Sequence, residues 1–361
     1  GMNRLTYESG TLTANGGEIM PYSANYTYDG KNNIASSLQE GVNRRGSYDG
    51  NNRLLRLTSE SLGGETWQDF AYDANGSRNS KLTSELSATE GAQSSLELTQ
   101  DNAGAEFYEY DLFNRLIRYE KGDITAVYTY NGDGQRQSKT VNGVVTHFVW
   151  DGMNMVYEYT DAESSSYIYG TTGILYRKDS AGEVYTYTTS GRGDVVTVAD
   201  SDGNAREYFY NAYGEIFRAF GAEPENPLLY CGEYADRESG LIYLRNRYYD
   251  PTQGRFITED PVRDGTNWYV YCENNPVMYT DPTGHLREAG YVYGIWCEDP
   301  DACEFNEDSG TYKILVQLGK RWEQDVNSRQ ATAQLAEKVR RLARERTPVK
   351  SAQNEIINEL H

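Results

Sequence analysis

A chain of 361 residues has room for two or three ordinary domains or for one long repeat array, and 32 tyrosines and 35 glycines beside only 38% hydrophobic residues point to β structure with many turns. The formal net charge of -20 argues against a partner that must be met phosphate by phosphate, so nucleic acid is excluded as the natural target and an anionic membrane surface is disfavoured. Four cysteines, Cys231, Cys272, Cys297 and Cys303, are too few to build a scaffold of this length on disulfides, and they leave the redox compartment open.

Gly1-Met2 reads as a tag scar on an excised segment, so the missing signal peptide carries no information about export. No apolar run reaches the roughly 18 residues that a membrane-spanning helix needs. From Tyr28 onward one pattern keeps returning: an aromatic followed by Asp or Asn, a few turn residues, then often Arg-Leu. It begins at Tyr28, Tyr48, Tyr72 and Tyr110, and in weaker form at Tyr130, Trp150 and Tyr210, with a period of about 20 residues in several steps. Each copy reads as strand, turn, strand: the aromatic ends one strand, the Asp or Asn opens the turn, and Arg-Leu begins the return. Alternation in Ala126-Val127-Tyr128-Thr129-Tyr130 and in Thr146-His147-Phe148-Val149-Trp150 fits half-buried strands. One hairpin cannot bury its face alone, but stacked neighbours can.

Other motifs along the array read as turns. Arg192-Gly193-Asp194 spells an adhesion tripeptide but sits where the repeats place Gly-Asp anyway. Asp200-x-Asp202-Gly203 and Asn131-x-Asp133-Gly134 hint at calcium loops without the remaining carboxylates such loops require. The histidines are His147, in a strand, His285 and His361; no HExxH, Walker or GxSxG pattern is present, and no metal or cofactor is expected.

From Tyr230 the pattern tightens. Glu238-Ser239-Gly240-Leu241 is followed by Tyr243, Arg245 and Arg247-Tyr248-Tyr249-Asp250-Pro251, then Gly254-Arg255-Phe256, Asp260-Pro261, Asn267, Tyr269, Tyr271, Asn274-Asn275-Pro276 and Asp281-Pro282-x-Gly284. This run resembles the Rhs repeat-associated core, and with the preceding repeats the chain resembles the C-terminal part of a YD-repeat, Rhs-type protein. The resemblance implies a mainly β fold, a spiral or partial barrel of stacked YD-repeat hairpins closed by the Rhs core, with a short α-helical C-terminal tail. It implies residues 1-225 as repeat array, 226-285 as core and 286-361 as variable tail.

The resemblance also implies a secreted or surface-delivered bacterial protein. Its partners would be its own tail or cargo, upstream repeats of a longer chain, and an immunity protein. Relatives in this family include polymorphic toxins and shell subunits of insecticidal toxin complexes, several of which cut themselves just after the core with a pair of aspartates. The positions matching that pair are Asp260 and Asp281, with Arg255 matching a nearby arginine expected to keep one carboxylate ionised, and the bond between His285 and Leu286 as the cleavage site. Two carboxylates facing one another can share a proton, one activating water while the other donates. The Asp-Pro pairs are also good turn formers, because Asp bonds the backbone two residues on and Pro fixes φ. Here His285 stands where the pattern usually has Leu, and Asp260-Pro261-Val262-Arg263-Asp264-Gly265 delays the usual glycine.

Past Gly284 the composition shifts: residues 286-361 carry 13 acidic and 11 basic side chains and three of the tyrosines. Leu335, Val339 and Leu342 share a helical face beside Lys338, Arg340, Arg341 and Arg344, and Thr347-Pro348 separates this helix from a shorter one ending near Leu360. Three functions follow from the sequence. The first is a scaffold that sheathes and presents the tail. The second is an enzyme, either the self-cleaving aspartate pair or a toxin within the tail. The third is a Tyr-rich adhesin for cell-surface glycans.

Overall fold

The computed structural model describes residues 4–13, 19–86, 98–99, 104–170, 173–221, 226–263 and 265–285, with short backbone stretches at 288–289, 291–292 and 295–296. Gly1–Glu288 forms one compact unit, so the array and the core, read as separate regions from the sequence, fold together. The second unit is Ala289–His361; the residues for which tail helices are expected, together with Cys297, Cys303, His361 and Leu286, lie outside the described residues.

Among the described residues, a sheet of twenty antiparallel strands runs from Tyr7–Thr13 to Ile216–Phe220 in chain order. Each strand pairs with its neighbour in sequence, except that Arg78–Leu86 takes both the short Leu98–Thr99 and Glu106–Tyr110. Alternation sets the two faces. In Ile124–Tyr130, Ala126 and Tyr128 are buried while Val127 and Thr129 are exposed, and Phe148 is buried beside half-buried His147. On the buried face, Tyr108, Leu116, Tyr119, Phe148, Met155, Tyr167 and Val198 pack with Tyr234, Tyr243 and Tyr248 from the region after the array, and Tyr22, Ala24, Tyr26 and Tyr213 form a second cluster.

The recurring Asp or Asn has a local reason. Asp49 Oδ1 accepts the N–H groups of Asn51 and Arg53, and Asp73, Asp111, Asn131, Asp200 and Asn211 each do the same for the residues two and four ahead. The residue three after the Asp or Asn takes a positive φ, for example Asn52 at 67° and Gly134 at 83°, which is why Asn or Gly fills it. The Asp200 and Asn131 motifs that hinted at calcium are turns of this kind. Arg192-Gly193-Asp194 is likewise internal: Asp194 is buried, accepts the Cys231 N–H and pairs with Arg192, whose guanidinium also donates to the Pro276 carbonyl.

Several of the strand-ending aromatics have a second task that composition did not reveal. The hydroxyls of Tyr48, Tyr130 and Tyr169 and the indole N–H of Trp150 each donate to a carbonyl 14 residues back, on Ile34, Leu116, Met155 and Arg136 respectively. These bonds staple one repeat to the previous one and explain Tyr in preference to Phe.

The strip also curls. Tyr22 stacks on Phe217 at 4.3 Å, the Ala212 N–H donates to Glu8, and Arg44 makes a two-pronged pair with Glu215 at 2.7 Å. Side chains thus bring the first hairpins against the last turn. The strands Tyr234–Asp236, Leu241–Leu244, Arg247–Asp250 and Arg255–Phe256 make a separate small sheet that packs against the array. Two ion pairs withdrawn from solvent tie it to the array: Arg78 to Asp250 at 3.0 Å and Arg136 to Asp236 at 2.5 Å. Burial alone would lower the Arg136 guanidinium, but Asp236 and the surrounding groups outweigh it and hold it well above its ordinary value.

Candidate functional site

The core hairpin Leu241–Leu244/Arg247–Asp250 is buried throughout both strands and joined by the two-residue turn Arg245-Asn246, with Arg245 at φ 60°. Three consecutive residues at this turn hold three consecutive carbonyls of the segment that leads out of the core. Arg245 Nη1 donates to the Pro282 carbonyl at 2.8 Å, Asn246 Nδ2 to the Thr283 carbonyl at 2.9 Å, and Arg247 Nε to the Gly284 carbonyl. Gly284 lies so close to the turn that a Cβ there would sit 2.6 Å from the Leu244 carbonyl oxygen and 2.9 Å from the Arg247 nitrogen, and its φ is 70°. Only glycine fits.

Asp260 and Asp281 come to this place from different turns. Asp260 Oδ1 caps the Val262 N–H at 2.9 Å; Asp281 Oδ1 accepts the His285 N–H at 3.1 Å and the Thr283 hydroxyl at 3.3 Å. Both are buried, and their other oxygens face one nitrogen, Arg247 Nη2, at 3.8 and 3.6 Å. These separations are longer than hydrogen bonds, so Arg247 offers both carboxylates its charge while its donors go to carbonyls, including Trp268 at 3.0 Å.

The electrostatics follow from this. Burial pushes the Arg247 guanidinium down to about 10, against the pull of the two aspartates. Burial pushes the Asp281 carboxyl up to about 6, only partly offset by Arg247 and the N–H and O–H groups around it. Nearby, burial lifts Glu233 to about 7 despite its pairing with Arg245. His285 is held below the ordinary imidazole value, first by burial and then by Arg247, and its Nδ1 is enclosed without a hydrogen-bond partner. The neutral ring is the favoured form.

Arg255 is placed differently from the expectation. Its guanidinium donates to the Asn52 carbonyl at 2.6 Å and lies over the rings of Tyr48 and Tyr269, tying core to array. Arg247 takes the position facing both aspartates. It stood inside the recognised motif, but an arginine in a run of strand residues gives no hint that its far end reaches two loops. Cys231 and Cys272 are free thiols, pushed up by burial. Among the described residues no cluster of His, Cys, Asp or Glu is gathered for a metal ion, and no helix is long and apolar enough to cross a membrane.

Comparison with known proteins agrees with this architecture. The chain is 34% identical over 281 residues to a tRNA3(Ser)-specific nuclease WapA of Bacillus spizizenii, covering 72% of this chain and 11% of that protein. It is 26% identical over 327 residues to the double-stranded DNA deaminase toxin A of Burkholderia cenocepacia, covering 79% and 21%. It is 25% identical over 268 residues to the toxin protein Tse5 of Pseudomonas aeruginosa, covering 72% and 18%. The chain therefore spans between about a tenth and a fifth of the length of these relatives. A crystal structure of TcdB2-TccC3-Cdc42 aligns at 16% identity with a TM-score of 0.42, over 77% of this chain and 18% of that one. The teneurin YD-shell family model matches residues 7–278, and with the repeat turns and their inter-repeat bonds in place the chain belongs to the teneurin YD-shell family as a mainly β, Rhs-type shell segment with toxins among its relatives.

Proposed function

We propose that this chain is the core-bearing scaffold section of a secreted or surface-delivered protein, and that its core anchors the stretch leading into a variable C-terminal cargo. The observation that carries this reading is the grip of Arg245, Asn246 and Arg247 on the carbonyls of Pro282, Thr283 and Gly284. A segment destined to be handed to a variable partner is here fixed by main-chain contacts to a small sheet that is itself ion-paired into the array. Limited proteolysis of the whole chain read by intact mass tests it. Early cuts beyond residue 285 with a long-lived fragment ending there are expected; first cuts within 226-285 would overturn it.

A second reading is favoured by the placement of Asp260 and Asp281 against the same nitrogen of Arg247: cleavage of the peptide bond between His285 and Leu286. One aspartate, Asp260, takes a proton from water as the water oxygen bonds to the His285 carbonyl carbon. Asp281, which keeps its proton up to about pH 6, gives it to the Leu286 nitrogen as the C–N bond breaks. One water is consumed; a carboxyl on His285 and a free amine on Leu286 result. The expected signature is a mass corresponding to 1-285 that forms faster at pH 5 than at pH 8 and is absent in Asp260→Asn and Asp281→Asn. A single uncut mass at both pH values leaves the scaffold reading alone.

A further inference from the structure

The contacts that hold residues 282–284 are made to backbone oxygens, three in a row, by three residues in a row. Contacts of this kind cannot distinguish one side chain from another. They fix instead the path and depth of the backbone against the turn; because every residue offers a carbonyl, the register itself is set by these contacts together with the features that follow. Three further features reinforce the register. Asn246 adds its own backbone N–H to the Thr283 carbonyl at 3.3 Å. The Gly284 Cα sits where no Cβ fits. The His285 N–H is held on Asp281 itself. The upstream side of the bond after His285 is therefore located by Arg245, Asn246 and Arg247 before any side chain of His285 or Leu286 is consulted.

We propose that the Arg245-Asn246-Arg247 turn is a register clamp, in which Arg245 and Asn246 act as positioning residues that choose the bond presented to Asp260 and Asp281. The inference rests on the cleavage reading and deepens it. Selection by main chain would let such a core accept His285 where the family pattern has Leu. It also suits a core that must serve whatever sequence follows. Arg245 is in turn oriented by Glu233 and by the Met153 carbonyl of the array, so the clamp is set in place only once array and core have come together.

The test reads the position of the break in the whole chain at pH 5. An alanine inserted between His285 and Leu286 leaves the clamp untouched; the clamp requires the break to stay directly after His285. A break that moves to follow the inserted alanine would show that the downstream chain sets the register, and would overturn the proposal. Asn246→Ala removes one side-chain donor at the exposed tip of the turn. It is expected to slow the reaction about tenfold, the worth of one hydrogen bond in the barrier, and to yield masses from neighbouring bonds. Unchanged rate and a single product mass would count against the clamp, whereas an uncut parent chain would remove the cleavage reading itself and this proposal with it.

Discussion

Asp49 in the repeat array and Asp281 in the core begin from the same local chemistry, a carboxylate that caps backbone N–H groups at a turn. They end with opposite proton affinities. Around Asp49 burial is the largest single influence and pushes upward, but hydrogen bonds from Arg53 and Asn51 together outweigh it and hold the carboxyl below its ordinary value. At Asp281 burial wins and the carboxyl rises to about 6. The difference lies in what surrounds the turn. Arg53 bonds Asp49 directly at 2.6 Å, whereas Arg247 stands 3.6 Å from Asp281 and divides its charge between two carboxylates. A turn motif becomes a chemically poised group when tertiary packing removes water and rations the counter-charge.

The arginines show the same contrast. Arg136 meets Asp236 at hydrogen-bond distance and is held well above its ordinary value, as a structural tie. Arg247, equally buried, spends its donors on carbonyls and falls to about 10.

The comparison can be broken most severely by removing the shared cation. Arg247→Met leaves two buried carboxylates without their counter-charge. It should cost roughly 3–5 kcal/mol at neutral pH and less at pH 4, where Asp281 is protonated, measured by urea unfolding. Glycines sharpen it next. Gly284→Ala forces a Cβ into backbone at a positive φ and should cost roughly 2–5 kcal/mol. Gly203→Ala, in a repeat turn with φ 85° and open space around it, should cost about 1 kcal/mol.

A pH series tests the aspartates themselves. Asp281 has a raised folded-state value, so its contribution to stability is complete below its ordinary value near 3.8 and is lost as pH rises through about 6. Asp281→Asn should therefore gain on the parent chain across that window, by on the order of 2–3 kcal/mol. Asp49 has a lowered value, so its contribution is present above the ordinary carboxyl range and disappears as pH falls below it. Asp49→Asn should lose stability at neutral pH and converge on the parent in acid; parallel pH profiles for the two variants would remove the contrast. The smallest effect is expected from Tyr130→Phe, which deletes the hydroxyl bond to the Leu116 carbonyl and should cost about 1 kcal/mol, visible as a lower melting temperature.

Much of the array was legible in the sequence. The Asp or Asn that opens each turn, the Asn or Gly three residues later and the alternation in strands such as Ile124–Tyr130 are local requirements, and local requirements recur with the repeat. The position of Asp260 and Asp281 was legible only through resemblance, and the arginine that faces them is Arg247, while Arg255 reaches the Asn52 carbonyl. Spacing along the chain does not say which arginine turns inward when both lie in buried strands.

The sequence by itself therefore determined the period, the strand–turn–strand unit and the β class, because backbone hydrogen bonding and φ restrictions act over a few residues. Only the tertiary structure decided that the first hairpins meet the last turn, that the tyrosines staple successive repeats, and that one guanidinium serves two carboxylates while its neighbours hold the departing chain. Those outcomes depend on groups far apart in sequence sharing one water-poor space, where desolvation and the supply of counter-charge are properties of the packed whole.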